Sequence, residues 1–442
     1  MKSNLTLSIL ALLLFGCGNA IHAQQLLSKA DAAKETLVNN YGIKIAGNNV
    51  RVAENNTKRE ANGYLPTVDA NGGISASYGS SSFKFRNGFD QSNPLSSSAS
   101  ADGSIQANYT IIDKVRDSQL SQLYASRDLS ELLKRQTVEN TLVQLFNSYY
   151  EIARQTSNLR VRAETIALSR RRLQQAQYRF DYGQGLRLDV LNAEVDIQRD
   201  SINFLNSQRQ LANAKRDLNV LMGRSVSQNF QVDTTVAYRN NWQLEALVAQ
   251  AKKENVGMLL NEQDRIVSEL DLEIIEAGKK PRLAANATYS GRYTRYDQQA
   301  AIEVQSNQGL NVGLSLNWNL FDGGARKVRR QNTRINLENQ LLERRQLEQE
   351  ITRDVTNAWE SYQTALYVLE AEAASLATNQ LNLERTQEQF SAGQVTSIAY
   401  RQAQLNLITA ATNYNNARFD AKIIELQLLQ LSGQLLKAVE NF

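Results

Sequence analysis

Polar and apolar residues alternate with a period of two in four stretches of the chain, and between them the period changes to about 3.5. The first stretch follows Pro66. Val68, Ala70, Gly72, Ile74, Ala76 and Tyr78 share one face, and Thr67, Asp69, Asn71, Gly73, Ser75 and Ser77 share the other. In the second, Ile105, Ala107, Tyr109 and Ile111 oppose Gln106, Asn108 and Thr110, and the Ser-rich residues 80–100 between the two read as a loop. The third follows Pro281, where Leu283, Ala285, Ala287, Tyr289 and Tyr293 oppose Arg282, Asn286, Thr288, Ser290, Arg292 and Thr294. The fourth has Leu310, Val312, Leu314, Leu316, Trp318 and Leu320 against Asn311, Gly313, Ser315, Asn317 and Asn319, 11 residues of strict alternation. Such strands suit either a half-buried soluble sheet or a transmembrane barrel wall with lipid outside and water inside.

After each strand pair comes a heptad seam. In the first copy it runs Val138, Leu142, Leu145, Tyr149, Ile152, Thr156, Leu159, Ala163, Ile166, Arg170, Leu173, Gln177, Phe180. In the second it runs Val355, Trp359, Tyr362, Leu366, Leu369, Ala373, Leu376, Gln380, Leu383, Gln387, Phe390. Residues 116–182 contain neither Gly nor Pro, so a single helix of roughly 100 Å is expected there at about 1.5 Å per residue. Gly183, Gly185 and Gly393 then permit turns into second helices over 189–222 and 398–431. A shorter helix is expected over 28–62, ended by Asn62-Gly63 and Pro66.

The two halves are copies of one unit. Leu221-Met222-Gly223 returns as Leu431-Ser432-Gly433 at an offset of 210, and Asn40-Tyr41-Gly42 returns as Asn255-Val256-Gly257 at an offset of 215. Expected boundaries are 24–223 for repeat one with its strand pair at 65–112, a connection at 224–240, and 241–442 for repeat two with its strand pair at 281–321. The class is mainly α with β.

Composition narrows the chemistry. Residues 1–23 read as a signal peptide, with Lys2 at its start and an apolar stretch from Leu5 to Phe15. A competing reading makes Leu14-Phe15-Gly16-Cys17 a lipoprotein box. Cys17 and His22 are the only Cys and His, so cleavage after Ala23 leaves neither. That removes thiol nucleophiles, disulfides, His bases and most metal sites; no cofactor, no metal and no enzyme activity are expected. Net charge is +4 over 442 residues, and the run Arg170-Arg171-Arg172 reads as a solvated helix face, with no nucleic-acid partner expected. After residue 23 no apolar run is long enough for a spanning helix.

Four strands cannot stand alone in a bilayer, because bare edge N–H and C=O groups cost several kcal/mol each there. Copies must associate, and three chains give twelve strands with room for a pore. Arg282, Asn286, Arg292, Asn311 and Asn317 are then lumen candidates, and Leu310, Val312, Leu314, Leu316 and Trp318 face lipid. Seam-bearing helices continue the barrel as a helical tunnel.

In this order of elements the chain resembles the TolC family of outer-membrane efflux and secretion proteins. The resemblance rests on Phe180 to Ala193 with Asp189-Val190-Leu191, on Leu221-Met222-Gly223, on Leu65-Pro66 and on Asn319-Leu320-Phe321-Asp322-Gly323-Gly324. It implies a homotrimer in the outer membrane whose long antiparallel helical hairpins form a periplasmic tunnel. It also implies a periplasmic adaptor, an inner-membrane transporter, and an exit duct for efflux or type I secretion. Alternatives are a passive porin and a coiled-coil envelope protein. The family's aperture often carries two acidic residues just past the second hairpin tip; the matching Ala399 and Gln402 are neutral, and the repeat-one equivalents are Asp189 and Asn192. Asp189 is either a helix-start residue or a gating or adaptor contact.

Overall fold

The computed structural model describes residues 26–298 and 302–439, so the expected signal peptide and the Cys17 lipoprotein box lie outside the described residues. The elements in chain order are β1 (Leu26–Leu27), α1 (Lys29–Asn39), α2 (Tyr41–Asn56), a 3-10 turn (Arg59–Asn62), β2 (Thr67–Lys84), β3 (Asp90–Ile112), α3 (Lys114–Asp181), α4 (Arg187–Leu221) and β4 (Gln231–Val232). The second half adds α5 (Leu244–Glu254), α6 (Val256–Ala277), β5 (Arg282–Tyr296), β6 (Val304–Asn317), α7 (Ala325–Ser391), α8 (Ser397–Leu431) and α9 (Leu435–Val439). They form two compact units. Of the described residues, one holds those up to Ile45, Arg135–Asn255 and those from Gln349 onward; the other holds those within Ala46–Lys134 and Val256–Glu348. Each repeat contributes to both.

The second unit contains an antiparallel sheet of order β2-β3-β5-β6. Its register keeps apolar positions together across all four strands: Ala70 pairs with Ile105, Ile105 with Tyr289, and Tyr289 with Leu310. Leu283, Ala285 and Ala287 likewise meet Leu316, Leu314 and Val312. A shift of one residue would scramble both faces, so the pattern specifies the register. No second layer covers the apolar face among the described residues. Leu310, Val312, Leu314 and Leu316 are 67–73% exposed. The edges β2 and β6 have no second neighbour among the described residues.

Three expectations are corrected here. Residues 80–100 are not a loop: β2 reaches Lys84 and β3 starts at Asp90. Serine is weak as a strand former in isolation, but here cross-strand hydroxyl pairs hold it, Ser75 to Ser100 at 2.8 Å and Ser77 to Ser98 at 2.7 Å. Pro94, which has no N–H to donate, falls where the register shifts between Gly79 and Ser81. The fourth strand is also displaced: it spans Val304–Asn317 and stops short of Trp318 and Leu320. Asn317 pairs with Arg282, the first residue of β5 after Pro281, so the ladder has no partner beyond it. Trp318 instead lies just past the strand, its indole N–H donating to the Lys279 carbonyl at 2.9 Å.

The third correction concerns the helix expected over 28–62, which is interrupted at Asn40 (φ −59°, ψ 129°). Asn40 uses its side chain twice there: Nδ2 donates to the Leu221 carbonyl (2.7 Å), and Oδ1 accepts from the Ile43 N–H (3.1 Å). Repeat two copies the break at Asn255, whose Nδ2 donates to the Leu431 carbonyl at 2.9 Å. The repeated glycines complete the joint. A Cβ on Gly223 (φ +69°) would sit 2.5 Å from the Asn39 carbonyl oxygen, and one on Gly433 (φ +72°) 2.6 Å from the Glu254 carbonyl. Thus the Asn-x-Gly and Leu-x-Gly signatures mark two sides of one contact, made twice.

The core of the first unit gathers Leu142, Leu145, Phe146, Tyr149, Tyr150 and Ile152 of α3, Leu218 of α4, Phe419 and Leu426 of α8, and Phe230, all at most 1% exposed. The two-residue strands β1 and β4 pair in parallel beside it. Tyr149 ties them in: its hydroxyl donates to the Leu27 carbonyl (2.8 Å) and accepts from the Asp233 N–H (3.0 Å).

Candidate aperture and pore-lining site

Both long hairpins turn by the same device. At the end of α3, Gly183 takes φ +69° and the Gln184 N–H closes on the Arg179 carbonyl at 2.7 Å. At the end of α7, Gly393 takes φ +75° and the Gln394 N–H closes on the Gln389 carbonyl at 2.8 Å. A left-handed glycine with this reach-back bond caps the last carbonyls of a helix. Gly185 serves differently, since a Cβ there would lie 3.0 Å from the Arg179 Cβ. Arg179 joins the two turns. Its Nη2 donates to the Phe390 carbonyl at 2.6 Å, and its guanidinium lies 4.7 Å from the Phe390 ring centroid. Phe390 in turn stacks on Tyr400, centroids 5.0 Å apart.

The sequence-derived aperture residues lie on the first turns after these tips. Asp189 is half-buried in the first turn of α4, where a carboxylate complements the positive helix end. Asn192, Ala399 and Gln402 are exposed. Gln402 donates to the Asn406 side chain at 2.8 Å, and the Ala399 N–H is taken by the Thr396 hydroxyl that caps α8.

Sequence reasoning missed the strongest polar feature nearby. Arg401 of α8 grips Asp200 of α4 in a bidentate pair, with Nη1 to Oδ2 at 2.9 Å and Nη2 to Oδ1 at 2.8 Å. Ser169 of α3 donates to the same carboxylate at 2.8 Å. Asp196, one turn earlier, accepts from Arg172 at 2.7 Å and from Arg199 at 3.1 Å, and lies 3.5 Å from Arg401 Nε. Arg401, Asp200, Ser169 and Arg172 are all under 9% exposed. Burial works against ionising Asp200, but the hydrogen bonds from Arg401 and Ser169 and the charges of Arg401 and Arg199 outweigh it, holding its carboxyl below the usual range. This also corrects the reading of Arg170-Arg171-Arg172 as wholly solvated. Arg170 and Arg171 are exposed, whereas Arg172 is 3% exposed.

The heptad seam of α3 holds only in part. Its first half is buried as spaced, with Leu142, Leu145, Tyr149 and Ile152 inside. Beyond that, the buried positions are Ser157, Thr165, Ser169, Arg172 and Ala176, while the expected Ala163 and Arg170 are exposed. The tip half of α3 thus turns a different face inward, where Arg172 meets Asp196 and Ser169 meets Asp200, both on α4. Partners on another helix were not visible in local spacing, least of all the Arg401–Asp200 pair, 201 residues apart.

In the sheet unit, the polar face carries the expected Arg282, Asn286, Arg292, Asn311 and Asn317 at paired positions. Thr288 and Asn311 are partners, as are Asn286 and Gly313, and Arg282 and Asn317. The arginines are offset by carboxylates: Arg292 lies 3.7 Å from Asp102, and Arg282 lies 3.5 Å from Asp113. Among the described residues no His, Cys, Asp and Glu cluster is arranged to hold a metal, and no helix is long and apolar enough to cross a membrane.

A model of the outer membrane efflux protein family matches residues 32–224 and 247–434. The outer membrane protein TolC of Vibrio cholerae is 23% identical over 322 residues, spanning 71% of this chain and 73% of that protein. TolC of Escherichia coli is 21% identical over 370 residues, spanning 80% and 73%. Among solved structures, the CmeC outer membrane channel of Campylobacter jejuni superposes with a TM-score of 0.72 at 12% identity, covering 93% of this chain and 88% of that one. CusC superposes at 0.71 and 15% identity, covering 92% of each. With the duplicated hairpins, the two-faced sheet and this match across most of its length, the chain belongs to the outer membrane efflux protein family and is a duct of the outer membrane, not an enzyme.

Proposed function

We propose that three copies assemble so that their four-stranded sheets close into one twelve-stranded barrel and their hairpins form a periplasmic tunnel. A periplasmic adaptor and an inner-membrane transporter would deliver cargo into this tunnel for efflux or secretion. The observation that carries the reading is the four-stranded sheet itself: open at β2 and β6, apolar and exposed on one face, polar on the other. In a bilayer that sheet is stable only when copies pair its edges and water wets its polar face. Leu310, Val312, Leu314 and Leu316 then meet lipid, with Trp318 just past the strand at the interface. Arg282, Asn286, Arg292, Asn311 and Asn317 line the lumen. Because Asp102 and Asp113 offset the arginines, the wall has little preference for cargo of one charge.

At the tips, Gly183, Gly185 and Gly393 shape the turns that an adaptor meets. Asp189, Asn192, Ala399 and Gln402 border the aperture, where Asp189 is the single carboxylate among them. Deleting the gene tests the duct: heightened sensitivity to toxic compounds or blocked secretion is expected, whereas reduced entry of small solutes with unchanged sensitivity would mean a passive pore. For the aperture, Asp189→Ala is expected to alter single-channel conductance in planar bilayers. Unchanged conductance would leave Asp189 only its helix-start role.

A further inference from the structure

We infer that the basic surface at the start of α7 docks anionic phospholipid headgroups of the membrane leaflet on the helix side of the barrel; this rests on the membrane-spanning reading of the sheet. The apolar face does not end with β6. Trp318, Leu320 and Phe321, just past the strand, are 56%, 76% and 84% exposed. Aromatic and apolar residues at a strand end are the ordinary marker of a membrane interface. Trp318 is held there by its bond to the Lys279 carbonyl, which sets Lys279 and Lys280 beside this band.

Charge of one sign follows directly. The first ten residues of α7 hold Arg326, Lys327, Arg329, Arg330 and Arg334, with no acid before Glu338. Cations at a helix N-terminus are opposed by the helix dipole, so this placement is unfavourable for the isolated helix. The acids nearby do not balance it. Asp322 accepts the N–H groups of Gly324 (3.2 Å) and Arg326 (2.8 Å), and its carboxylate is also shared by the Arg326 and Arg329 guanidiniums at 3.9 and 3.8 Å. Glu276 is divided between Lys279 and Arg330. Lys280, Lys327 and Arg334 have no ion-pair partner among the described residues, and all three are exposed.

A phospholipid phosphate supplies what is missing: negative charge with several acceptor oxygens, presented at the level where the apolar band ends. Lysine and arginine stems lie along apolar surface while their heads reach such a layer. Free phosphate would meet the cations but leave Trp318, Leu320 and Phe321 uncovered, so the occupant is a lipid.

The test reconstitutes the full protein in phosphatidylethanolamine bilayers with trace spin-labelled phosphatidylglycerol or spin-labelled phosphatidylethanolamine. The ratio of their association constants is read from the motionally restricted signal. A several-fold preference for phosphatidylglycerol at low salt is expected, with each cation contributing up to about fivefold. The preference should vanish at high ionic strength and in the triple variant K327Q/R329Q/R334Q. Restricted lipid of both kinds with equal affinity, or a preference that survives in the triple variant, overturns the docking surface alone. Absence of any restricted lipid overturns the membrane-spanning reading with it. The salt arm uses the unaltered protein and does not depend on the variant folding.

Discussion

Replacing Arg401 by alanine strips the buried Asp200 of its bidentate partner. Breaking a buried ion pair from one side costs about 3–5 kcal/mol, because the remaining charge is left without its partner. Here the lower end applies. Asp200 keeps the Ser169 hydroxyl at 2.8 Å, and Asp196 keeps Arg172 and Arg199. A cost of about 3 kcal/mol corresponds to roughly a hundredfold increase in local opening, at about 1.4 kcal/mol per factor of ten. Native-state hydrogen exchange of the amides around 190–200 and 400–410 is the assay, since it reads the tip rather than global unfolding. Asp200→Ala should cost a similar amount, and the double variant much less than the sum. A coupling energy below about 0.5 kcal/mol would be that of independent sites, and would refute the claim that this pair fastens α8 to α4.

Further outcomes rest on the same structure. The opening free energy of the tip should hold steady from neutral pH down to about 5 and fall only below about pH 4: the Asp200 carboxyl is held below its ordinary value near 3.9, so its stabilisation is present above that value and lost as pH drops through the lowered one, a dependence that Asp200→Asn abolishes. Gly223→Ala and Gly433→Ala should each lower stability by about 3 kcal/mol in thermal unfolding, from a left-handed backbone plus a collision with the facing chain. Gly183→Ala, with nothing within 4 Å of its Cβ, should cost only about 1 kcal/mol. Tyr149→Phe loses two hydrogen bonds and should cost about 1–2 kcal/mol, while Tyr150→Phe, whose buried hydroxyl has no partner among the described residues, should be neutral or stabilising by the same assay.

Periodicity exposed the sheet faces and the long helices because both depend on local spacing. Leu310 to Leu316 alternate in sequence and share a face in the sheet for one reason, the pleat. The Asn40 and Asn255 breaks were present as a repeated motif, but what each asparagine binds is a carbonyl 181 or 176 residues away. Ser-rich strand ends read as a loop because cross-strand hydroxyl pairs have no local signature. The Arg401–Asp200 pair was hidden most deeply, since its members belong to different repeats and Arg172 beside it lies off the expected seam.

Adjacent residues of β6 should see different solvents. Spin labels placed singly at Leu314 and Ser315 of the reconstituted protein measure this through relaxation by oxygen, which concentrates in lipid, and by a water-soluble nickel complex. Position 314 should respond to oxygen and be shielded from nickel, and position 315 should do the reverse. Matching responses at the two positions would contradict a sheet with lipid on one face and a wet pore on the other.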